Sequence, residues 1–210
     1  RDLHSFPTRR SSDLGANYAE TYLGTAKTLA AVLPATSVKQ LIYTSTYSVY
    51  GQHHGATVTE ETVVQPATAN GEVISETEQT LLGLSRLEVC VLRLGGIYGP
   101  GRTLARIYGR AAGQIRPGRG HEWANWVYRE DIVGAIEFVR SHSLSGIYNL
   151  VQDEIPTVRE LIDRVCDRHT LAPVQWDPSQ PSARPYNAKV SNAKIKAAGY
   201  QFVHPHFFED

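Results

Sequence analysis

The chain has 210 residues, with 21 basic and 21 acidic side chains and a formal net charge of zero, so no net field draws it to nucleic acid or to an acidic membrane surface. Its length suits one domain of ordinary size, or a core with a small appended lobe. No apolar run approaches the roughly twenty residues that span a bilayer, and Cys90 and Cys166, the two cysteines, read as buried thiols of a reducing compartment, the cytoplasm.

Residues 4–14, HSFPTRRSSDL, read as the translation of a sequencing-adapter oligonucleotide, so residues 1–14 are set aside from the fold. The chain also contains no methionine. Both observations point to a 5′-truncated reading frame, with a core over 15–151, a lobe insertion at about 100–125 and a C-terminal lobe segment over 152–210. Apolar residues at Tyr18, Tyr22, Ala26, Leu29 and Leu33 keep one face and predict a helix over 18–33, stopped by Pro34. A strand follows over 40–44, then a polar loop, a helix from about 70 to 84 and a strand over 89–94. Strand and helix alternate as a parallel sheet requires.

Further on, the pattern predicts a helix over 104–112, another over 131–140 and a strand over 146–151. Thr157 and Glu160 have capping-box spacing ahead of a helix ending near 169, and 191–198 reads as a short helix closed by Gly199. Trp123 and Trp126 bracket a presumed strand between core and lobe. The fold class is therefore α/β, a partial Rossmann-like doubly wound parallel sheet with a small substrate-lobe extension.

Two strand-to-loop passages carry the chemistry. Residues 89–101, VCVLRLGGIYGPG, run from an apolar strand into a loop with four glycines, where a missing Cβ lets backbone approach a ligand. Residues 40–51, QLIYTSTYSVYG, end an apolar run in the hydroxyls Thr44, Ser45 and Thr46. In open α/β sheets ligands sit outside the carboxyl ends of the strands. Two such edges side by side read as a nucleotide site.

These passages resemble the T-S-S-x-x-V-Y-G and L-R-x-x-x-x-Y-G-P-G stretches of the NAD(P)-dependent epimerase/dehydratase family, the extended branch of the short-chain dehydrogenase/reductases. Residues 23–31 (LGTAKTLAA), 125–136 (NWVYREDIVGAI) and 146–150 (GIYNL) resemble further family motifs in family order. The resemblance implies NAD or NADP as cofactor, with a small-molecule substrate. By position it places Thr46 as the hydroxyl that bonds the substrate, and Thr44, Ser45, Gly95, Gly96 and Ile97 beside the nicotinamide. For Thr46 a strand-end cap is the alternative, and for the others tight packing at sheet ends.

The family's Tyr-x-x-x-Lys pair is absent: no tyrosine lies between Tyr50 and Tyr98 and no lysine between Lys39 and Lys189. Matching Glu78 and Gln79 to the family's helix puts Asn70 at the tyrosine position and Ile74 at the lysine position. An amide is no acid or base near neutral pH, and isoleucine has no charge to offer. The family's G-x-x-G-x-x-G turn, which would hold the pyrophosphate, is also missing, as truncation would leave it.

No acidic residue lies between Glu88 and Glu122, whereas Arg93, Arg102, Arg106, Arg110, Arg116 and Arg119 all do. Such a patch suits a phosphate or carboxylate, though a solvated helix face explains the i, i+4, i+8 part of it. The family's diphosphate-gripping arginine is replaced by Ala124, leaving Arg102 or Arg119 as substitutes for substrate binding. His53 with His54, and His204 with His206, lack a third ligand and read as solvent-facing, so no metal site is expected. Glu72 and Glu76 read as an exposed charged face.

The parent protein is thus expected to be an NAD(P)-binding, oxidoreductase-like protein with a degenerate active site. The alternative is a non-catalytic protein whose partner affinity responds to the dinucleotide. For the chain itself, the expectation is a fragment that exposes the edge of 40–44, binds no cofactor and is inactive.

Overall fold

The computed structural model describes residues 17–208; residues 1–14, read as adapter-derived, lie outside them. The described residues begin in a helical turn at 17–19 that runs through a π-turn, Glu20–Gly24, into α1 (Thr25–Val32) and a 3-10 turn at Leu33–Ala35. Periodicity predicts one uninterrupted helix here. The backbone is helical from 17 through 32 with the π-turn inside it, and Thr21 and Thr28 turn their hydroxyls back onto the carbonyls of Asn17 and Gly24, at 2.6 and 3.0 Å, as such residues do inside helices.

The remaining elements, in order, are β1 (Gln40–Thr46), β2 (Thr57–Val58), α2 (Ala69–Leu82), β3 (Glu88–Leu94), β4 (Gly96–Tyr98), α3 (Leu104–Tyr108), β5 (Ile115–Pro117) and β6 (Trp126–Tyr128). Then follow α4 (Arg129–Ser141), β7 (Gly146–Leu150), α5 (Val158–Arg168), β8 (Gln175–Asp177), β9 (Lys189–Val190) and α6 (Ala193–Ala197). β1, β3 and β7 form a parallel sheet in that order. The two-residue period sorts their side chains. Leu41, Tyr43, Val89, Val91 and Ile147 meet α1 and α2 on one face. Cys90, Leu92, Leu94, Tyr148 and Leu150 meet Ile132, Ala135 and Val139 of α4 on the other.

Helices on both faces make the sheet doubly wound, as the alternating pattern predicts. Its central strand β3 is buried from Val89 through Leu94. β1 is mostly half-buried and pairs on one side only among the described residues. Cys90 and Cys166 are free and buried, and burial pushes the Cys90 thiol up to about 12.

β1 runs two residues beyond its predicted end, because Ser45 and Thr46 continue the register against Arg93 and Leu94. The hydroxyl trio therefore belongs to the strand and not to the loop after it. α3 stops at Tyr108, short of the predicted 112, and a 3-10 turn at Gly109–Ala111 follows, as a glycine allows. α3 packs on α5 through a second core that includes Leu104, Tyr108, Trp126, Leu161, Ile162 and Val165. Thr157 and Glu160 form the predicted capping box at the start of α5.

Trp123 does not bracket a strand: β6 begins at Trp126, and Trp123 instead donates its indole N–H to the Gly55 carbonyl at 2.9 Å. α6 is shorter than 191–198, and Gly199 closes it at φ +106°. Its Ile195, with Tyr200, returns to the core of the three-stranded sheet. No described helix is long and apolar enough to cross a membrane.

Candidate functional site

One residue before the carboxyl ends of the strands, the sheet face under α2 turns from apolar to polar. Ser45 of β1, Arg93 of β3 and Asn149 of β7 stand side by side in register. α2 supplies the counter-charge, because Ile74, Glu78 and Leu81 share its buried face at i, i+4, i+7 spacing. Arg93 Nη2 bonds Glu78 at 2.6 Å, its Nε reaches both carboxylate oxygens at 3.2 Å, and the Ser45 hydroxyl donates to Glu78 at 2.5 Å. The Arg93 guanidinium lies 4.7 Å from the Tyr50 ring centre, and the Tyr50 hydroxyl donates to Asn149 at 2.8 Å.

Every member of this cluster is buried, Arg93 and Glu78 to within 3% of complete. Burial alone would lower the Arg93 pKa, but the hydrogen bonds and charge of Glu78 outweigh it and raise the pKa. Removing one partner of such a pair costs about 3–5 kcal/mol. The sequence reads Arg93 as one of a surface patch; it is the internal clamp that joins the three strand ends. Period-two alternation carried the signal, since Arg93 falls on the face of Val89 and Val91, and Glu78 on that of Ile74 and Leu81.

The glycine loop leaves the edge beside this clamp. Gly95 donates its N–H to the Leu150 carbonyl at 3.0 Å and Gly96 to Asn125 at 2.8 Å, so both amides are occupied. A Cβ on Gly95 would meet the Asn125 carbonyl oxygen at 2.9 Å, and one on Gly96 the Trp126 ring at 2.7 Å. Tight packing therefore accounts for both glycines. Ile97, by contrast, is 39% exposed.

The hydroxyl trio is split by the pleat. Ser45 faces inward to Glu78, whereas Thr44 is exposed and Thr46 half-buried. Thr46 Oγ1 donates to Ser48 Oγ at 3.1 Å and accepts the Ser48 N–H at 3.2 Å, capping the 3-10 turn Tyr47–Tyr50. Asn70 is exposed in the first turn of α2, and Ile74 is 3% exposed in its buried face. Glu76 ion-pairs with Lys27 at 3.2 Å on the outer face, as its spacing predicts.

Arg102, Arg106 and Arg110 line a groove of about 490 Å3 together with Gly101 and Ile107. Arg119 is exposed and does not line it. The sequence reads His204 as solvent-facing; it lies 3.9 Å from the Tyr128 ring centre and 3.2 Å from Glu130. No group of three or more His, Cys, Asp or Glu among the described residues is placed to hold a metal ion.

Residues 6–150 match the NAD dependent epimerase/dehydratase family. The chain belongs to that family. It is 33% identical over 203 residues to Protein YeeZ of Escherichia coli (strain K12), spanning 96% of this chain and 70% of that protein. Among solved structures, a conserved protein of unknown function from Silicibacter pomeroyi DSS is 26% identical with a TM-score of 0.74, over 90% of this chain and 68% of that one. The dTDP-glucose 4,6-dehydratase DesIV of Streptomyces venezuelae, solved with NAD bound, shares the fold at 20% identity and TM-score 0.74, over 94% of this chain and 65% of that one.

The epimerase/dehydratase family's dinucleotide can be tested against the residues present. In an open α/β sheet its nicotinamide end would lie at the carboxyl edge. Thr44 and Ile97 are exposed, and Arg93 Nη1 and Gln152 Nε2 are buried donors with no acceptor among the described residues. Such atoms are rare in a folded protein and ask for a partner. Gly95 and Gly96 shape that edge without donating to it.

Proposed function

We propose that this member of the epimerase/dehydratase family binds NAD(P) with the nicotinamide over Thr44, Thr46 and Ile97 and acts as an oxidoreductase on a small molecule bearing a hydroxyl or carbonyl. The observation that carries the reading is the carboxyl edge of the parallel sheet, where Thr44 and Ile97 are exposed and Thr46 is half-buried, the place at which open α/β sheets take their ligands. When bound, the nicotinamide supplies or takes the hydride. Thr46 Oγ1 already holds two bonds to Ser48 and keeps one lone pair with which to accept a substrate hydroxyl.

The proton chemistry differs from that of a Tyr-x-x-x-Lys enzyme. Asn70 offers an amide that can orient a substrate but not protonate it, and Ile74 is sealed in the helix–sheet interface. The clamp of Ser45, Glu78, Arg93 and Asn149 holds the three strand ends in place, which is positioning and not chemistry. Two buried free thiols support the reading of a reducing compartment, the cytoplasm.

The test is titration of NADH and NADPH into the purified full-length protein by nicotinamide fluorescence, followed by turnover of carbonyl and sugar-nucleotide substrates. Saturable binding of one of them, with turnover lowered by Thr46→Val at unchanged cofactor affinity, is expected. Binding of neither would end the reading.

A further inference from the structure

We infer that Tyr186 is the proton donor at the carboxyl edge of the sheet, taking the part that the absent Tyr-x-x-x-Lys pair leaves open. The inference rests on the oxidoreductase reading and names the acid of that same site.

The first observation is a run of hydroxyls that leads out from Thr46. Thr46 Oγ1 donates to Ser48 Oγ at 3.1 Å, which leaves the Ser48 O–H to donate onward. The hydroxyls that act on Tyr186 are those of Ser48 and Tyr47. Its ring stands edge-on to the ring of Tyr47, the residue after Thr46, with 5.8 Å between ring centres. A phenol that accepts from Ser48 keeps its own proton to give.

The second observation is anchorage. Tyr186 lies just before β9 and packs, half-buried, on the core of Tyr47, Tyr50 and Val190. Its neighbours in the chain are tied down on either side. Arg184 Nη1 donates to the Trp123 carbonyl at 2.8 Å, and Asn187 donates its backbone N–H to Gln52 and accepts the Trp123 N–H, both at 3.0 Å. Arg184 thereby brings to the phenol the positive charge that Ile74 cannot offer.

The third observation removes the competing tyrosines. Tyr50 and Tyr98 give their hydroxyls to Asn149 and Gln152, at 2.8 and 2.9 Å. Tyr47 and Tyr108 are buried to 7% exposure, and the Tyr43 hydroxyl is buried in the helix–sheet interface. Tyr186 alone combines partial exposure with a hydroxyl path to Thr46.

Burial pushes the Tyr186 phenol up to about 12, Tyr47 adds to the rise, and Arg184 and Ser48 pull part of it back. Tyr186 is therefore a loaded acid near neutral pH and not a base, which selects the reductive direction. In that step Tyr186 breaks its O–H bond and gives the proton to the oxygen of a carbonyl whose carbon takes the hydride of NAD(P)H. The carbonyl is reduced to a hydroxyl and NAD(P)H is oxidised to NAD(P)+. The phenolate, held by Ser48 and Arg184, takes a proton back from water.

The experiment is titration of NAD+ and NADH, or of NADP+ and NADPH where those bind, into the full-length protein and its Tyr186→Phe variant, read by tryptophan fluorescence. A cationic nicotinamide beside the phenol favours its phenolate, and by linkage the phenolate favours the cation. The affinity for the oxidised cofactor should rise about twofold or more between about pH 8 and pH 10 in the unaltered protein and stay level in Tyr186→Phe, with the reduced cofactor level in both. A tyrosine that only supports the fold would shift affinity alike at every pH. With a carbonyl substrate, Tyr186→Phe should lower kcat about a hundredfold or more at unchanged cofactor affinity. Where circular dichroism shows Tyr186→Phe unfolded, Ser48→Ala takes its place, and a flattened pH response is expected there. The same pH response in variant and unaltered protein, or turnover unchanged by the substitution, would overturn the proposal and leave the oxidoreductase reading standing. Binding of no dinucleotide would end that reading and the proposal with it.

Discussion

Arg93 and Arg106 lie in the same stretch of chain, one at the end of the central strand and one in the helix after the glycine loop, and their charges meet opposite fates. Arg93 is sealed under α2 with Glu78, Ser45 and the Tyr50 ring, so nearly all its charge is spent inside the protein. Arg106 is exposed, anchored by one bond to its own loop and surrounded by two further arginines. Burial is what separates them: a charge taken out of water must be paired by the fold itself, whereas one left in water stays available to a ligand.

The sharpest way to break this comparison is Glu78→Leu, which leaves Arg93 buried without its carboxylate. A loss of about 3–5 kcal/mol in urea denaturation is expected. The double variant Glu78→Leu with Arg93→Met replaces the pair by apolar bulk and should recover most of that loss. A double variant as costly as the sum of its parts would mean that the clamp is not a pair. Arg106→Gln, by contrast, should move stability by less than about 0.5 kcal/mol, as surface changes usually do.

Packing around the clamp's edge gives the next effect. Gly96→Ala drives a methyl to 2.7 Å from the Trp126 ring, an overpacking worth about 1–3 kcal/mol, read in the same denaturation experiment. An alanine tolerated without loss would show that the loop is held open and that its glycine serves a ligand.

The smallest effect belongs to an intermediate case, the half-exposed Asp153 with Lys196 at 2.7 Å. Burial pushes the Asp153 carboxyl up, but bonds from Lys196 and Asn192 outweigh it and hold it below the usual carboxylate range. A depressed folded pKa stabilises above the unfolded value, about 3.9, and that stabilisation is lost as pH falls through the folded one. Asp153→Asn should therefore cost under about 1 kcal/mol at neutral pH, and the difference should fade below about pH 4. A difference that persists at lower pH would show that the ionised carboxylate is not its source.

Much of the architecture was legible because it follows from short-range pattern. The parallel strands, the helices α2, α4 and α5, the capping box at Thr157 and the glycine stop after α6 all rest on period and on cap chemistry. The helix predicted over 18–33 is helical from 17 through 32, and only the π-turn at Glu20–Gly24 inside it leaves no mark on the apolar stripe. At the site, Thr46 makes the strand-end cap that its position offered as the alternative, bonding Ser48. Ser45 was expected beside the nicotinamide, and only the pleat shows it turned inward to Glu78.

By itself, then, the sequence determined the alternation of strand and helix, the family, the absence of a Tyr-x-x-x-Lys pair and the acid-free stretch of arginines. Tertiary structure decided which arginine is spent and which are available. Sequence spacing cannot tell these apart, because a guanidinium's fate depends on whether a carboxylate from a distant helix reaches it inside the core, and that is settled only when α2 docks on the sheet.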